Sequence, residues 1–287
     1  MGENGTVAWS ELLGEATARL GAEDARRIVE EVTGVDVGEL HTVLDEPATR
    51  RGVARFDALV RRRLDGEPLQ YVLGRWGFRT LDLMVDRRVL IPRPETEVVA
   101  GLAIAEVEAR SNDDADVLVA DLGTGSGAIA LSVAAECARA RVLAVDVSSE
   151  ALTVAGANLA GIGRAATRVS LHAGDWFAAL PSELTGRFDV IVSNPPYVRV
   201  DEVLPPVVGE WEPASALRSG PDGLDDLKVI VEEAPRWLDP SGALVLEMAP
   251  DQADVVAGWC RAAGFVAEVK KDLAGRDRAV VARGPGT

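Results

Sequence analysis

The tetrapeptide Asn194-Pro195-Pro196-Tyr197 closes the apolar run Phe188-Asp189-Val190-Ile191-Val192-Ser193 and is the stretch whose chemistry is easiest to read. Proline fixes its own φ and holds the residue before it extended, so Asn194 and Pro195 are expected to present their carbonyl oxygens stiffly. Two such acceptors can hold both hydrogens of a planar NH2 group and leave its nitrogen facing whatever lies opposite. Tyr197 is expected to cover the flat face by stacking. A Pro-Pro pair alone also reads as a loop after a core strand, so this chemistry requires a donor site nearby.

Such a site lies upstream. Val117-Leu118-Val119-Ala120-Asp121 reads as a buried strand running into Leu122-Gly123-Thr124-Gly125-Ser126-Gly127, and an apolar helical stretch, Ala128 to Cys137, follows. Alternating glycines between a strand and a helix let a bulky ligand approach the backbone and meet the helix N-terminus. Nineteen residues past Gly127, a strand from Arg141 to Val145 ends in Asp146, where a carboxylate can accept from a ribose diol. Gly123, Gly125 and Ala128 also satisfy the dinucleotide fingerprint in its relaxed form, so these residues leave the cofactor open. Gly174-Asp175-Trp176 follows a short strand, Arg168 to Leu171. Asp175 can accept from an adenine amino group while Trp176 covers the base; equally, the two read as a turn residue and a core aromatic. The ends of successive parallel strands open on one crevice, which would bring the four motifs together.

The elements that must position them change character along the chain. Trp9, Leu12, Leu13, Ala16 and Leu20, then Ile28, Val29 and Val32, then the stripe from Phe56 to Leu64 have helical spacing and predict a small bundle. Thr80 to Val85 alternates and predicts a short hairpin. Beyond residue 92 strands and helices alternate, which predicts a doubly wound α/β domain. Its later elements are a helix from Leu224 to Leu238, a strand from Ala243 to Glu247, a helix from Gln252 to Ala263, and an antiparallel pair, Phe265 to Val269 and Ala279 to Ala282. A loose tail is expected at Gly284 to Thr287.

With these motifs in place, the chain resembles the HemK/PrmC family, the peptide chain release factor N5-glutamine methyltransferases. The resemblance covers nearly the whole sequence. It extends to Gly66-Glu67-Pro68-Leu69-Gln70-Tyr71 with Gly74, Val89-Leu90-Ile91-Pro92-Arg93-Pro94-Glu95-Thr96-Glu97, Glu212-Pro213, Asp222-Gly223-Leu224, Leu246-Glu247 and Asp272-Leu273-Ala274-Gly275-Arg276-Asp277-Arg278. It implies a Rossmann-like class I methyltransferase domain with a mostly parallel seven-stranded sheet at 93–287. A helical substrate-recognition domain at 1–74 and a β-hairpin linker at 75–92 would precede it. The implied cofactor is S-adenosylmethionine, with S-adenosylhomocysteine as product. Gly123, Thr124, Gly125, Ser126, Gly127, Asp146 and Trp176 would hold it, with Asp175 and Asn194. Asn194, Pro195, Pro196 and Tyr197 would hold the glutamine of a release factor's Gly-Gly-Gln motif. Ser219-Gly220-Pro221 and Ala249 depart from the family pattern, on loops of the substrate side. Glu95 and Glu97 either order access to the crevice or favour the start of the helix after Pro94.

Composition narrows the partners. The chain has 287 residues, 47% of them hydrophobic, and a net charge of −16. Acids outnumber bases 14 to 10 through residue 75 and 32 to 20 beyond it, whereas a DNA methyltransferase has phosphate charge to offset. The one dense basic cluster, Arg50, Arg51, Arg55 and Arg61 to Arg63, reads as a solvated helix face or as a contact for an acidic partner. Cys137 and Cys260 stand apart without metal-ligand spacing, and His41 and His172 read as structural. No signal peptide or membrane span is recognisable, so a cytoplasmic monomer without nucleic acid or membrane partners is expected. The alternatives are an amino methyltransferase of another protein or of DNA adenine, and a binding protein or nicotinamide-dependent oxidoreductase built on the glycine loop.

Overall fold

The structure is a computed structural model and describes residues 7–110 and 115–285. Contacts divide the chain into two compact units. The first contains helices α1 (Trp9–Leu20), α2 (Ala22–Thr33), α3 (Arg50–Leu64) and α4 (Leu69–Leu73). Their apolar stripes bury Trp9, Leu12, Ile28, Val29, Phe56, Leu59 and Val60 in one core, with Trp9 and Phe56 edge to face at 6.3 Å. Thr49 starts α3 by accepting the Gly52 N–H at 3.0 Å. On the outer face of α3, Arg55, Arg62 and Arg63 pair with Glu31, Glu67 and Asp24 of the same unit, while Arg50, Arg51 and Arg61 are exposed.

Strands β1 (Arg75–Phe78) and β2 (Leu81–Met84) make a two-stranded sheet. The rest of the second unit alternates as expected: α5 (Pro94–Arg110), β3 (Val117–Leu122), α6 (Ala128–Glu136), β4 (Ala140–Asp146), α7 (Ser149–Gly161), β5 (Val169–Ala173) and β6 (Phe188–Ser193). After the short helix α8 (Pro206–Gly209) come α9 (Asp225–Trp237), β7 (Leu238–Glu247), α10 (Ala253–Ala262), β8 (Val266–Lys271) and β9 (Asp277–Arg283). The seven-stranded sheet has the order β5-β4-β3-β6-β7-β9-β8. Neighbouring strands from β5 to β7 pair in parallel, and β9 is antiparallel to both β7 and β8.

Alternation along each strand builds two cores. Val119, Val142, Val190 and Val192 face one layer with Val99, Ala103 and Ile129 of α5 and α6. Leu122, Leu143, Ile191 and Leu244 face the other with Ile230 of α9 and Val256 of α10. Burial on both faces is why these parallel strands read as unbroken apolar runs.

The division of the chain differs in two places from the boundaries expected at 74, 92 and 93. The second unit begins at Trp76, so the hairpin belongs to it and is not a separate linker. Phe78 and Leu83 are buried in the core over α5 and α6, and Asn158 of α7 clamps Met84, accepting its N–H at 2.7 Å and donating to its carbonyl at 3.0 Å. Pro205–Trp211, which contains α8, groups with the helical unit, where Trp211 lies beside Gly66. Of the tail expected to be loose, Gly284 donates its N–H to the Gly242 carbonyl at 2.9 Å, and residues 286–287 lie outside the described residues.

Candidate active site

Strand register brings the motifs to one place. β3 and β6 pair up to Leu122 opposite Ser193, and the buried Ser193 hydroxyl donates to the Leu122 carbonyl at 2.6 Å. Gly123 and Asn194 therefore leave adjacent strands side by side. On the other side of β3, Leu122 lies opposite Val145, whose carbonyl accepts the N–H groups of both Gly123 and Thr124. Asp146 in turn lies opposite Ala173, and its carbonyl accepts from the Gly174 N–H at 3.0 Å. The sequence order reverses between β3 and β6, the place where open α/β sheets form their crevice. A cavity in the second unit is lined there by Gly123, Thr124, Gly125, Ser126, Asp146, Asp175, Trp176, Asn194 and Pro196. Gly127, Pro195 and Tyr197 are not among its lining residues.

The glycine loop is a shaped turn. Gly123, Gly125 and Gly127 have φ of 74°, 56° and 87°, a region that side chains rarely enter. At Gly127 the fit is also steric: a β-carbon would lie 2.9 Å from Leu131 Cδ1. Beneath the loop, Asp121 Oδ2 accepts from the Thr124 hydroxyl at 2.6 Å and the Ala130 N–H at 3.0 Å. Burial pushes the Asp121 carboxyl up to about 7, against those two donors. Asn158, besides clamping the hairpin, donates to the Ser126 carbonyl at 2.8 Å.

The groups around the crevice fit a nucleoside. Each Asp146 oxygen accepts one backbone N–H, from Gly125 at 2.8 Å and Ser148 at 2.9 Å, and a carboxylate oxygen has a further lone pair for a diol. Burial raises the Asp146 pKa, and the two N–H groups oppose that rise. Asp175 is exposed at the rim. Trp176 is held at φ 41°, a strained value for a bulky residue, and its ring lies across Gly123, where a β-carbon would be 3.2 Å from Cζ3. An aromatic wall, an acid at the rim and a strand-end carboxylate are the groups an adenosine moiety needs.

Asn194 faces this cavity with one end of its amide occupied, since Nδ2 donates to the Thr96 hydroxyl at 3.1 Å. Thr96 belongs to the first turn of α5. Pro195 is buried behind, and among the described residues no hydrogen bond uses its carbonyl. Tyr197 is placed differently from expectation. Instead of covering the cavity, its ring packs against the core over α9 and α10, and its hydroxyl donates to Glu247 Oε1 at 3.1 Å. A half-buried phenol needs a partner for its hydroxyl, and Glu247 supplies one at the end of β7. Burial pushes the Glu247 carboxyl up to about 7, opposed by the hydroxyls of Thr96 and Tyr197 and by Arg278.

The segment after the grip is locked from behind. The Tyr197 carbonyl accepts from Gln252 Nε2 at 3.0 Å, and a β-carbon on Gly223 would lie 2.3 Å from that same oxygen. This close approach accounts for the glycine in Asp222-Gly223-Leu224. At the altered positions, Ser219 Oγ accepts the Asp226 N–H at 2.9 Å, and the Ala249 N–H donates to Gln252 Oε1 at 3.0 Å. The acids around Pro94 are braces: Glu95 pairs with Arg276 at 2.7 Å, and Glu97 Oε1 accepts the Arg79 N–H at 3.2 Å. Arg93 pairs with buried Glu212 at 2.5 Å, joining two motifs far apart in sequence.

Thr96, Asn158, Gly223, Glu247 and Gln252 thus shape the site without having been singled out for it in the sequence. Thr96, Gly223 and Glu247 stand inside the family motifs, which was the available signal; their partners are long-range and left none. Cys137 and Cys260 are buried free thiols whose pKa values burial pushes up to about 11 and about 12. His41 and His172 hydrogen-bond to near neighbours in sequence, the Gly38 carbonyl and the Ser170 hydroxyl.

Two solved structures share the architecture: a methyltransferase from Pyrococcus furiosus, with a TM-score of 0.51 and 18% identity, covers 82% of this chain and 100% of its own. The hMettl16 catalytic domain has a TM-score of 0.54 and 14% identity, with 82% of each chain covered. The likeness is one of fold, a Rossmann-like α/β domain with its crevice where the strand order reverses. Residues 8–74 match the family model described as the PrmC N-terminal domain, and residues 106–210 match the methyltransferase small domain. The release factor glutamine methyltransferase of Xylella fastidiosa strain 9a5c is 43% identical over 277 residues, covering 96% of this chain and 98% of that protein. Its counterpart in Streptomyces coelicolor is 40% identical over 269 residues, covering 91% and 90%. The chain belongs to the release factor glutamine methyltransferase family.

Two outcomes test this geometry. Gly223→Ala is expected to displace the Tyr197 carbonyl and slow methyl transfer about tenfold or more while binding of S-adenosylmethionine, read by titration, stays within about twofold. The second concerns pH. Asp121 and Glu247 keep protons in the folded chain that they release when unfolded, so stability falls as pH rises from about 4 to about 7. Asp121→Asn, whose amide oxygen can take the same two donors, is expected to make that fall shallower when urea midpoints are compared at the two ends of the range.

Proposed function

We propose that this chain transfers a methyl group from S-adenosylmethionine to the side-chain amide nitrogen of the glutamine in the Gly-Gly-Gln motif of a peptide chain release factor. The observation that carries the reading is Asn194. Its amide stands on the strand next to the glycine loop, with Nδ2 committed to Thr96 and Oδ1 left to accept. The names of the relatives support the substrate.

In this reading S-adenosylmethionine, when bound, supplies a sulfonium methyl. Asp146 takes the ribose diol, Asp175 and Trp176 take the adenine, and Gly123 to Gly127 bring backbone close to the cofactor. An amide nitrogen shares its lone pair with its carbonyl and is a weak nucleophile. Asn194 Oδ1 and the Pro195 carbonyl accept its two hydrogens, and these bonds strengthen as positive charge develops on nitrogen. Alignment replaces a strong base, because the nitrogen becomes acidic as the methyl arrives and passes one proton to water. Pro196 walls the site, and Tyr197 acts from behind, where its hydroxyl engages Glu247. The helical unit would help to engage the release factor. The reading makes the chain a cytoplasmic monomer acting on protein without direct nucleic acid contact, and the charge of −16 agrees with a partner other than DNA. Among the described residues, no helix is long and apolar enough to cross a membrane.

Asn194→Ala is the test. Loss of one acceptor at the reacting group is expected to slow single-turnover methylation of a purified release factor by about 100- to 1000-fold, with S-adenosylmethionine binding largely kept. Unchanged turnover would contradict the reading.

A further inference from the structure

The cofactor groups and the grip take up only part of the sheet's C-terminal rim. Along the order β5-β4-β3-β6-β7-β9-β8, Asp175 and Trp176 follow β5, Asp146 ends β4, the glycine loop follows β3 and Asn194 follows β6. The end of β7 and the turn between β8 and β9 complete the same rim, because β9 runs antiparallel to β7. That turn also projects further. Ser193 lies opposite Leu246 and Glu247 lies opposite Ala279, whereas β8 and β9 go on pairing to Lys271 opposite Asp277. Two residues of strand carry the hairpin about 7 Å beyond the level of Glu247, and two strand spacings set β9 about 10 Å to the side of β6.

The two most exposed large apolar side chains among the described residues stand on this part of the rim, Leu273 at 97% on the turn and Val203 at 94% on the segment after the grip. Single exposed aliphatics are common on protein surfaces. These two differ in being displayed on braced loops. The Asp272 carboxylate accepts the N–H groups of Ala274 and Arg276 at 2.9 and 3.0 Å and Arg276 Nε at 2.9 Å, and Gly275 turns the chain at φ 80°. Ahead of Val203, the Arg218 guanidinium donates to the carbonyls of Arg199, Val200 and Glu202 at 2.8, 2.7 and 3.2 Å. A groove lined by Arg199, Asp201, Glu202, Ala249 and Asp251 runs from that loop to the end of β7, with three carboxylates against one guanidinium.

We infer that Val203 and Leu273 are docking anchors for the protein that carries the glutamine. That protein lies over the end of β7 and the β8–β9 turn, and meets them with an apolar surface bearing basic groups. The cofactor groups hold the other half of the rim, which leaves this half for the body of a protein whose glutamine reaches Asn194. Side chains already held in place lose little freedom on binding, so their burial adds affinity without touching the reacting groups. The inference rests on the reading of Asn194 as the grip for a protein glutamine and adds where that protein is held.

The test uses the full chain, S-adenosylmethionine and a purified release factor. Leu273→Ser and Val203→Ser, both at exposed positions, are each expected to raise KM for the release factor about tenfold, as the lost burial of one aliphatic side chain implies. Turnover at saturating release factor and S-adenosylmethionine affinity are expected to stay within about twofold. Leu273→Met, which keeps an apolar group, is expected to leave KM close to that of the unaltered chain. Glu202→Lys is expected to raise KM about threefold at low salt and less as salt is added. A normal KM in the Leu273→Ser, Val203→Ser double variant would overturn the inference, as would a loss confined to kcat. A fall in KM with Glu202→Lys would give the groove to an acidic partner and also overturn it. Self-association of the unaltered chain that the double variant abolishes would assign the surface to a second copy instead. Absence of glutamine methylation by the unaltered chain would remove the reading on which the inference rests.

Discussion

The pairing of β3 with β6, held in register to its last residues by the Ser193 hydroxyl on the Leu122 carbonyl, is the constraint on which the site depends. Everything downstream follows from where these two strands stop. One releases the glycine loop and the other releases Asn194, so the proposed cofactor and substrate sites are set next to each other by backbone hydrogen bonds. Val145 extends the arrangement by accepting from the first two residues of the loop, and Asp146 extends it again by accepting from Gly174. A crevice built this way is as rigid as the sheet beneath it.

That rigidity is reached by burying carboxyl groups. Asp121 supports the glycine loop from below, and Glu247 supports the grip from behind, each raised to about 7 by loss of water. Such groups are tolerable where nearby hydroxyls and N–H groups meet them, and they fix the direction of every donor in contact with them. Glu247 illustrates the gain. An apolar residue there would pack as well, but it would leave the Tyr197 hydroxyl without its partner. Nearby, the Arg276–Glu95 pair joins the terminal hairpin to the first turn of α5.

Much of this was legible in the sequence. The parallel strands announced themselves because both faces are buried, and the glycine loop, Asp146 and Asn194 stand at strand ends, where sequence position alone predicts convergence. The last antiparallel pair followed from two short apolar runs around a turn. What stayed hidden depends on contacts across the chain. Thr96 and Asn194 are 98 positions apart, and Tyr197 and Glu247 are 50 apart, so neither bond leaves a local signature. Tyr197 was expected over the substrate because its ring invites stacking; its hydroxyl, which needed a buried partner, decided otherwise. Pro205–Trp211 falls inside the domain expected at 93–287, yet it groups with the helical unit.

The central claim is that the grip at Asn194 presents a glutamine amide nitrogen to the methyl of S-adenosylmethionine. The most direct measurement incubates the full chain with S-adenosylmethionine and a purified release factor, and then locates the added methyl by peptide mass spectrometry. A single methyl on the side-chain nitrogen of the Gly-Gly-Gln glutamine is the predicted result. Methyl on another residue of the release factor, or none there while DNA adenine becomes methylated in a parallel incubation, would contradict it.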